Sequence, residues 1–292
     1  MLALSFGLGA ALIWALHDLL ARKVSQGAAL LPILIVVLGA GSFVLAPIAL
    51  TFGNWTVMTA SAVVISVFYG LAYALAGGAL YKAFSVAPVR LVSPVIGAYP
   101  MLSLAIAVAQ GRTVTGADWL AVLAIVAGIA IVAVSTRDDT SEGYAATPAV
   151  ALAWAGFSAL GFATTFALGQ EATRQGAELP VMLIGRVVAL AVVLALAVVL
   201  AVAGARVRPV APQGRHLWLL VLMGVIDAVA LGLVTAAGGL PHAEYASVAA
   251  SLFGVLTVLL AAWFLKEHVR PVQWLGIAAV FCGIASLSLQ GG

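Results

Sequence analysis

The sequence predicts an all-α polytopic membrane protein with ten transmembrane helices in two inverted five-helix repeats. Three observations carry this expectation. Hydrophobic residues fill 64% of the 292 positions and charged residues only 8%, whereas a soluble domain carries about 25% charged residues. With a mean hydropathy of +1.20, the chain lacks the polar surface that water would require, and lipid is the solvent that fits it. Apolar runs of roughly 20 residues, the length that crosses a hydrocarbon layer about 30 Å thick, recur ten times. The two halves of the chain also share landmarks.

In chain order the runs cover 2–21, 30–50, 59–80, 89–109, 117–135, 147–168, 179–203, 217–236, 243–264 and 272–289. The first has no basic residue before it and continues into Ala21-Arg22-Lys23, so it reads as a retained helix rather than a cleaved signal. Connections are short. The one extended charged link, with Arg137, Asp138, Asp139 and Glu142, divides the chain into a first repeat (1–135), a polar link (136–146) and a second repeat (147–292).

The landmarks are Gly-Ala-Ala-Leu-Leu-Pro32 against Gly-Ala-Glu-Leu-Pro180, and Val114 to Trp119 against Val269 to Trp274. Gly128-Ile129 and Gly283-Ile284 follow the second pair, at the same spacing of 155 residues. Because five is odd, tandem copies must lie upside down relative to each other, the arrangement used for alternating access. Span parity puts Arg22, Lys23, Lys82, Arg137, Arg206, Arg208, Arg215, Lys266 and Arg270 on one side, and Arg112 and Arg174 on the other. The basic side is expected to be cytoplasmic, which places both termini outside a cytoplasmic (inner) membrane.

Composition also excludes classes. The net charge of +3 comes from 13 basic residues scattered between apolar runs, which form no dense positive face for nucleic acid. One cysteine, Cys282, precludes an intramolecular disulfide. No nucleophile constellation, phosphate-cradling motif or metal-ligand spacing is present, so neither an enzyme, a metal nor a cofactor is expected. The expected partners are membrane lipid and a small organic solute, with monomer and homodimer both open.

Candidate site residues follow from the cost of polarity inside a span. Asp227 lies near the middle of span eight, where it serves either transport and proton coupling or a structural pair. Arg186, about 10 Å into span seven at 1.5 Å per residue, can pair with Asp227, and it either clamps a substrate carboxylate or a gate or snorkels to the surface. Trp14, His17 and Asp18 share one helical surface, where the His–Asp pair either exchanges protons or anchors the helix end. Tyr69 and Tyr73, four apart, read as an aromatic wall or as packing. Arg90, Ser93, Gly97 and Met101 recur on one side of span four, as do Glu244, Ser247, Ser251 and Gly254 on span nine. Pro94 and Pro100 supply bends for gating or a fixed kink.

Gly9-Ala-Ala-Leu-Ile-Trp14, Ala79-Leu-Tyr-Lys-Ala-Phe-Ser-Val-Ala-Pro88, Phe264-Leu-Lys-Glu267 and Gln273-Trp-Leu-Gly276 resemble the EamA branch of the drug/metabolite transporter superfamily over essentially the whole chain. The resemblance implies a five-plus-five plan and movement of amino acids, related metabolites or amphipathic solutes, often outward, without ATP hydrolysis. Glu267 matches the acidic residue common after the fourth span of a half, whereas the first half has Gln110-Gly111-Arg112 there. The expected function is proton-coupled export of a small amino-acid-like or other organic metabolite. Uptake and passive facilitation are the alternatives, and a membrane enzyme is the weakest.

Overall fold

A computed structural model describes residues 2–25, 29–99, 101–102, 105, 108, 115–137, 147–203, 215–237, 240, 246 and 249–290. Ten α-helices lie among them: α1 Leu2–Ser25, α2 Leu30–Phe52, α3 Ala60–Val86, α4 Val89–Gly97, α5 Gly116–Arg137, α6 Pro148–Arg174, α7 Glu178–Val202, α8 Arg215–Ala236, α9 Phe253–Phe264 and α10 Pro271–Gln290. The protein is a multi-spanning all-α bundle. Six helices, α1, α2, α3, α6, α7 and α8, are long and apolar enough to cross a membrane, and Gly116–Val132, Phe253–Phe264 and Pro271–Ser286 are shorter apolar stretches.

Two helices are shorter than their apolar runs. In the run 89–109, α4 ends at Gly97 with a turn at Ala98 just ahead of Pro100, which has no N–H to continue the helix, and Tyr99, Met101, Leu102, Ala105 and Val108 beyond the turn are helical again. In the run 243–264, Ala246, Ala249 and Ala250 are helical and a turn at Ser251 and Leu252 separates them from α9. Pro100, Glu244, Ser247, Gln110 to Arg112, Arg206 and Arg208 lie outside the described residues.

Helix starts are written locally. Thr59 Oγ1 accepts from Ala62 N at 3.0 Å to cap α3. At α5, Asp118 N donates to Thr115 Oγ1 at 3.2 Å and Thr115 N donates to Asp118 Oδ2 at 2.7 Å, a reciprocal capping box. Pro148 and Pro271 open α6 and α10, where a missing N–H costs nothing. Within the spans, Ser66, Thr173 and Thr257 return their hydroxyls to the carbonyl four residues back, which keeps them bonded inside an apolar medium. Phe43, Phe52, Val202 and Trp263 face outward, each more than 70% exposed, as a surface solvated by lipid requires.

The larger seams between helices come in matched pairs or are their own counterparts. The α3–α6 seam has a counterpart in α8–α1, α3–α7 in α8–α2, and α1–α9 in α6–α4; α2–α7, α4–α9 and α5–α10 are their own counterparts. Glycines set the close approaches. Gly70 of α3 abuts Gly185 and Val188 of α7, while Gly224 of α8 abuts Val37 and Ala40 of α2. The shift is 154 residues from Gly70 to Gly224, and 148 from Val37 to Gly185 and from Ala40 to Val188. In α5 and α10, Gly128 faces Gly276 while Ala121 faces Gly283, so the two helices run antiparallel. Backbones this close are the small-residue packing that replaces hydrophobic driving force in lipid.

Candidate functional site

Asp227 stands near the middle of α8 and is 5% exposed. Three donors from three other helices converge on it. Trp14 Nε1 of α1 donates to Oδ1 at 3.1 Å, Arg186 Nη1 of α7 donates to Oδ2 at 3.1 Å, and the Tyr73 hydroxyl of α3 donates to the same oxygen. Arg186 is fully buried, so its guanidinium is paired at depth rather than snorkelling. Its Nη2 also donates to Gly224 O at 3.4 Å, and its carbon lies 5.6 Å from the centre of the Tyr73 ring. Gly41 provides the room, because a Cβ there would occupy the guanidinium's place.

One turn further along α1, His17 and Asp18 are also buried, at 4% and 2% exposure, rather than anchored at an interface. His17 Nδ1 lies 3.1 Å from Asp18 Oδ1, and its Nε2 lies 3.0 Å from the Tyr81 hydroxyl. With Nδ1 carrying the proton, imidazole donates to the carboxylate and Tyr81 donates to imidazole. Among the described residues, none donates to Asp18 Oδ2. The two carboxylates are therefore unlike. Asp227 is matched by a cation and two neutral donors, whereas Asp18 keeps one acceptor open.

A cavity of about 20 Å³ lies between the clusters. Its polar wall is His17, Asp18 and Asp227, and its apolar wall includes Trp14, Phe162, Phe166 and Phe253. Trp14 meets Phe166 with ring centres 5.5 Å apart and Phe253 at 6.2 Å. Tyr99 packs on Phe166 at 4.9 Å. A second cavity of about 20 Å³ lies on the α2–α3 side of His17, where Tyr73 and Tyr81 face Leu34 and Val37. Each has room for about one water molecule.

A second charged cluster closes one end of the bundle. Glu267, beyond α9, receives Val89 N at 3.2 Å and Arg90 N at 3.4 Å, so its carboxylate caps the positive end of α4. Arg22 at the end of α1 approaches it, Nε to Oε1 3.6 Å, and donates through Nη1 to Phe84 O of α3 at 2.6 Å. The reversal that brings Glu267 back toward α4 passes through Lys266 at φ 54°, left-handed for a residue with a side chain. Four helix ends are thus tied at one point.

The sequence-predicted residues divide accordingly. Trp14, His17, Asp18, Tyr73, Arg186 and Asp227 come together. Tyr69 does not line either cavity: its ring fills the space left by Gly169 and Gly185. Arg90 is fully buried at the start of α4, beside Glu267 rather than Asp227. Pro94 lies inside α4 where Gly97 crosses Ser251, in the turn before α9, and Gly254 of α9. Tyr81, Phe162, Phe166 and Phe253 were not singled out in the sequence. The stripe Tyr69, Tyr73, Gly77, Tyr81, at steps of four, was the available signal for Tyr81.

Polar groups buried at mid-helix, around cavities closed to anything larger than water and inside a lipid-facing bundle, are features of solute passage. Comparisons with known proteins agree. No curated protein matches the chain. A crystal structure described only as that of a protein superposes with a TM-score of 0.67, covering 99% of this chain and 96% of that one at 18% identity, a likeness of fold alone. The EamA-like transporter family matches residues 1–134 and 149–289. With nearly the whole length matched, this multi-pass membrane protein belongs to the EamA-like transporter family.

Proposed function

We propose that the chain is a secondary carrier of the cytoplasmic membrane that exports a small amino-acid-like or other organic metabolite in exchange for protons. It works by alternating access between two inverted halves, 1–135 and 147–292, with both termini outside. The observation that carries the reading is the buried network of Trp14, Tyr73, Arg186 and Asp227 beside the His17–Asp18 pair, closed around water-sized space. Ionisable groups at such depth mark solute and proton routes.

The matched seams support the inverted halves. Exchanging each helix for the one five places on reproduces the larger seams, and the corresponding helices α5 and α10 run antiparallel. The shift of 154 that relates Gly70 to Gly224 also relates Tyr73 to Asp227, so a phenol and a carboxylate occupy equivalent positions and bond to each other. Rocking one half against the other opens the site to alternate sides. The groups available to a transported proton are His17 and Asp18 on α1, Tyr73 and Tyr81 on α3 and Asp227 on α8, with Arg186 of α7 as the fixed cation.

Purified protein in sealed liposomes, given a panel of labelled metabolites under an imposed pH gradient, is expected to accumulate one solute class against its own gradient. Flux that stays passive under every ion gradient contradicts proton coupling, and a solute moved only inward in cells contradicts export. Cysteine labelling of the same preparation tests orientation: Gln290 should react from outside and the Arg208 loop from the cytoplasmic side. Identical sidedness contradicts the ten-span parity.

A further inference from the structure

We propose that the solute presents a protonated primary amine, held by the open oxygen of Asp18 within a bowl formed by Trp14, Phe166 and Phe253. The assignment rests on the carrier reading of this site and specifies what that site takes. Asp18 is 2% exposed, and an ionised carboxylate only accepts hydrogen bonds. Its Oδ1 faces His17, while Oδ2 has no donor among the described residues, and Asp18 lines the cavity. Asp227, on the same wall, is already matched by Arg186, Tyr73 and Trp14. The free acceptor capacity of the cavity is therefore concentrated on Asp18.

The opposite wall narrows the ligand. Trp14 contacts Phe166 at 5.5 Å and Phe253 at 6.2 Å between ring centres, and aromatic faces attract cations, Trp most strongly. With Asp227 neutralised by Arg186, Asp18 carries the unmatched negative charge at this space, so an anion is repelled there. A neutral donor could bond Oδ2 but would leave the carboxylate charge unmatched and the ring faces unused. A quaternary ammonium would use the rings but has no N–H for Oδ2. A primary ammonium satisfies both walls, and its head is close to the size of the water-sized space. The rest of the solute follows when the halves separate.

The test uses the full-length protein in detergent and four probes with one phenylethyl skeleton: phenethylammonium, phenethyltrimethylammonium, N-acetylphenethylamine and 3-phenylpropanoate. Equilibrium binding should rank the primary amine first, the quaternary amine about tenfold weaker and the amide and acid weaker still, tenfold being the loss of about 1.4 kcal/mol. Asp18→Asn should weaken the primary amine at least tenfold more than it weakens the quaternary probe, because both cations lose the carboxylate charge and only the primary amine also loses an N–H bond to Oδ2. Phe166→Leu should weaken both cations together. Equal binding of the amide or acid, unchanged amine binding in Asp18→Asn, or no binding of either cation at millimolar concentration overturns the assignment. If Asp18→Asn does not fold, Phe166→Leu decides: cation binding equal to that of the unmodified protein overturns it. Counterflow in liposomes separates this proposal from the carrier reading. Amine binding without counterflow overturns the carrier and keeps the amine site, whereas flux of another solute that phenethylammonium does not inhibit overturns the amine site and keeps the carrier.

Discussion

Asp227→Asn is expected to destabilise the folded protein by about 3–5 kcal/mol and to abolish metabolite flux. That range is the usual cost of removing one member of a buried ion pair, because the surviving charge stays buried without a counterion. Arg186 has no surface to retreat to, and its remaining partner is the carbonyl of Gly224. Asn also presents an amide NH2 where the carboxylate had an acceptor, so at least one of the three donors on Asp227 would face another donor. Thermal unfolding in detergent measures the loss. Adding Arg186→Leu to Asp227→Asn should recover more than half of it, since the unmatched charge then disappears, while flux stays absent. Unchanged stability in the single variant, or flux restored in the double, contradicts the role given to the pair.

Gly128→Ala is expected to have the next largest effect, because one methyl must enter the place of a backbone oxygen. Its Cβ would collide with the carbonyl of Gly276 and press on Val280, so α5 and α10 have to move apart. Overpacking in a core costs about 1–3 kcal/mol, and a contact with backbone rather than a flexible side-chain end belongs at the upper limit. Gly39→Ala in α2 and Gly156→Ala in α6 are the controls, since a Cβ there meets nothing within 4 Å. They should stabilise by about 0.5–1 kcal/mol through the usual Gly-to-Ala gain in a helix. Equal melting temperatures for all three variants would show that the α5–α10 approach is not tight.

The composition and run lengths were enough to anticipate ten helices in a lipid-soluble bundle, since a backbone in lipid has few other options. The Arg186–Asp227 pair was legible for the same reason: depth makes an isolated charge costly, and each residue was the other's available remedy. The aromatic bowl was not legible. Phe166 and Phe253 are buried while Phe43 and Phe264 face lipid, and in a membrane both environments select the same residue type. Hydropathy also did not locate the end of α4 at Gly97, because its run continues unbroken past Pro100. Glu267 was recognisable only by resemblance, since its partner at Val89 lies 178 residues away in the chain.

The contact between Tyr73 and Asp227 bears on why such a bundle would be one polypeptide rather than two copies of a half-length one. A homodimer of identical five-helix chains places the same residue on both sides of its axis. At this position that means two carboxylates in contact, which repel unless they share a proton, or two phenols, which offer Arg186 no counterion. Two separately encoded halves, as in the division proposed above, are free of that constraint. Once the copies are encoded separately, a proton donor can face an acceptor across the axis, and the centre acquires a polarity that an exact dyad would forbid.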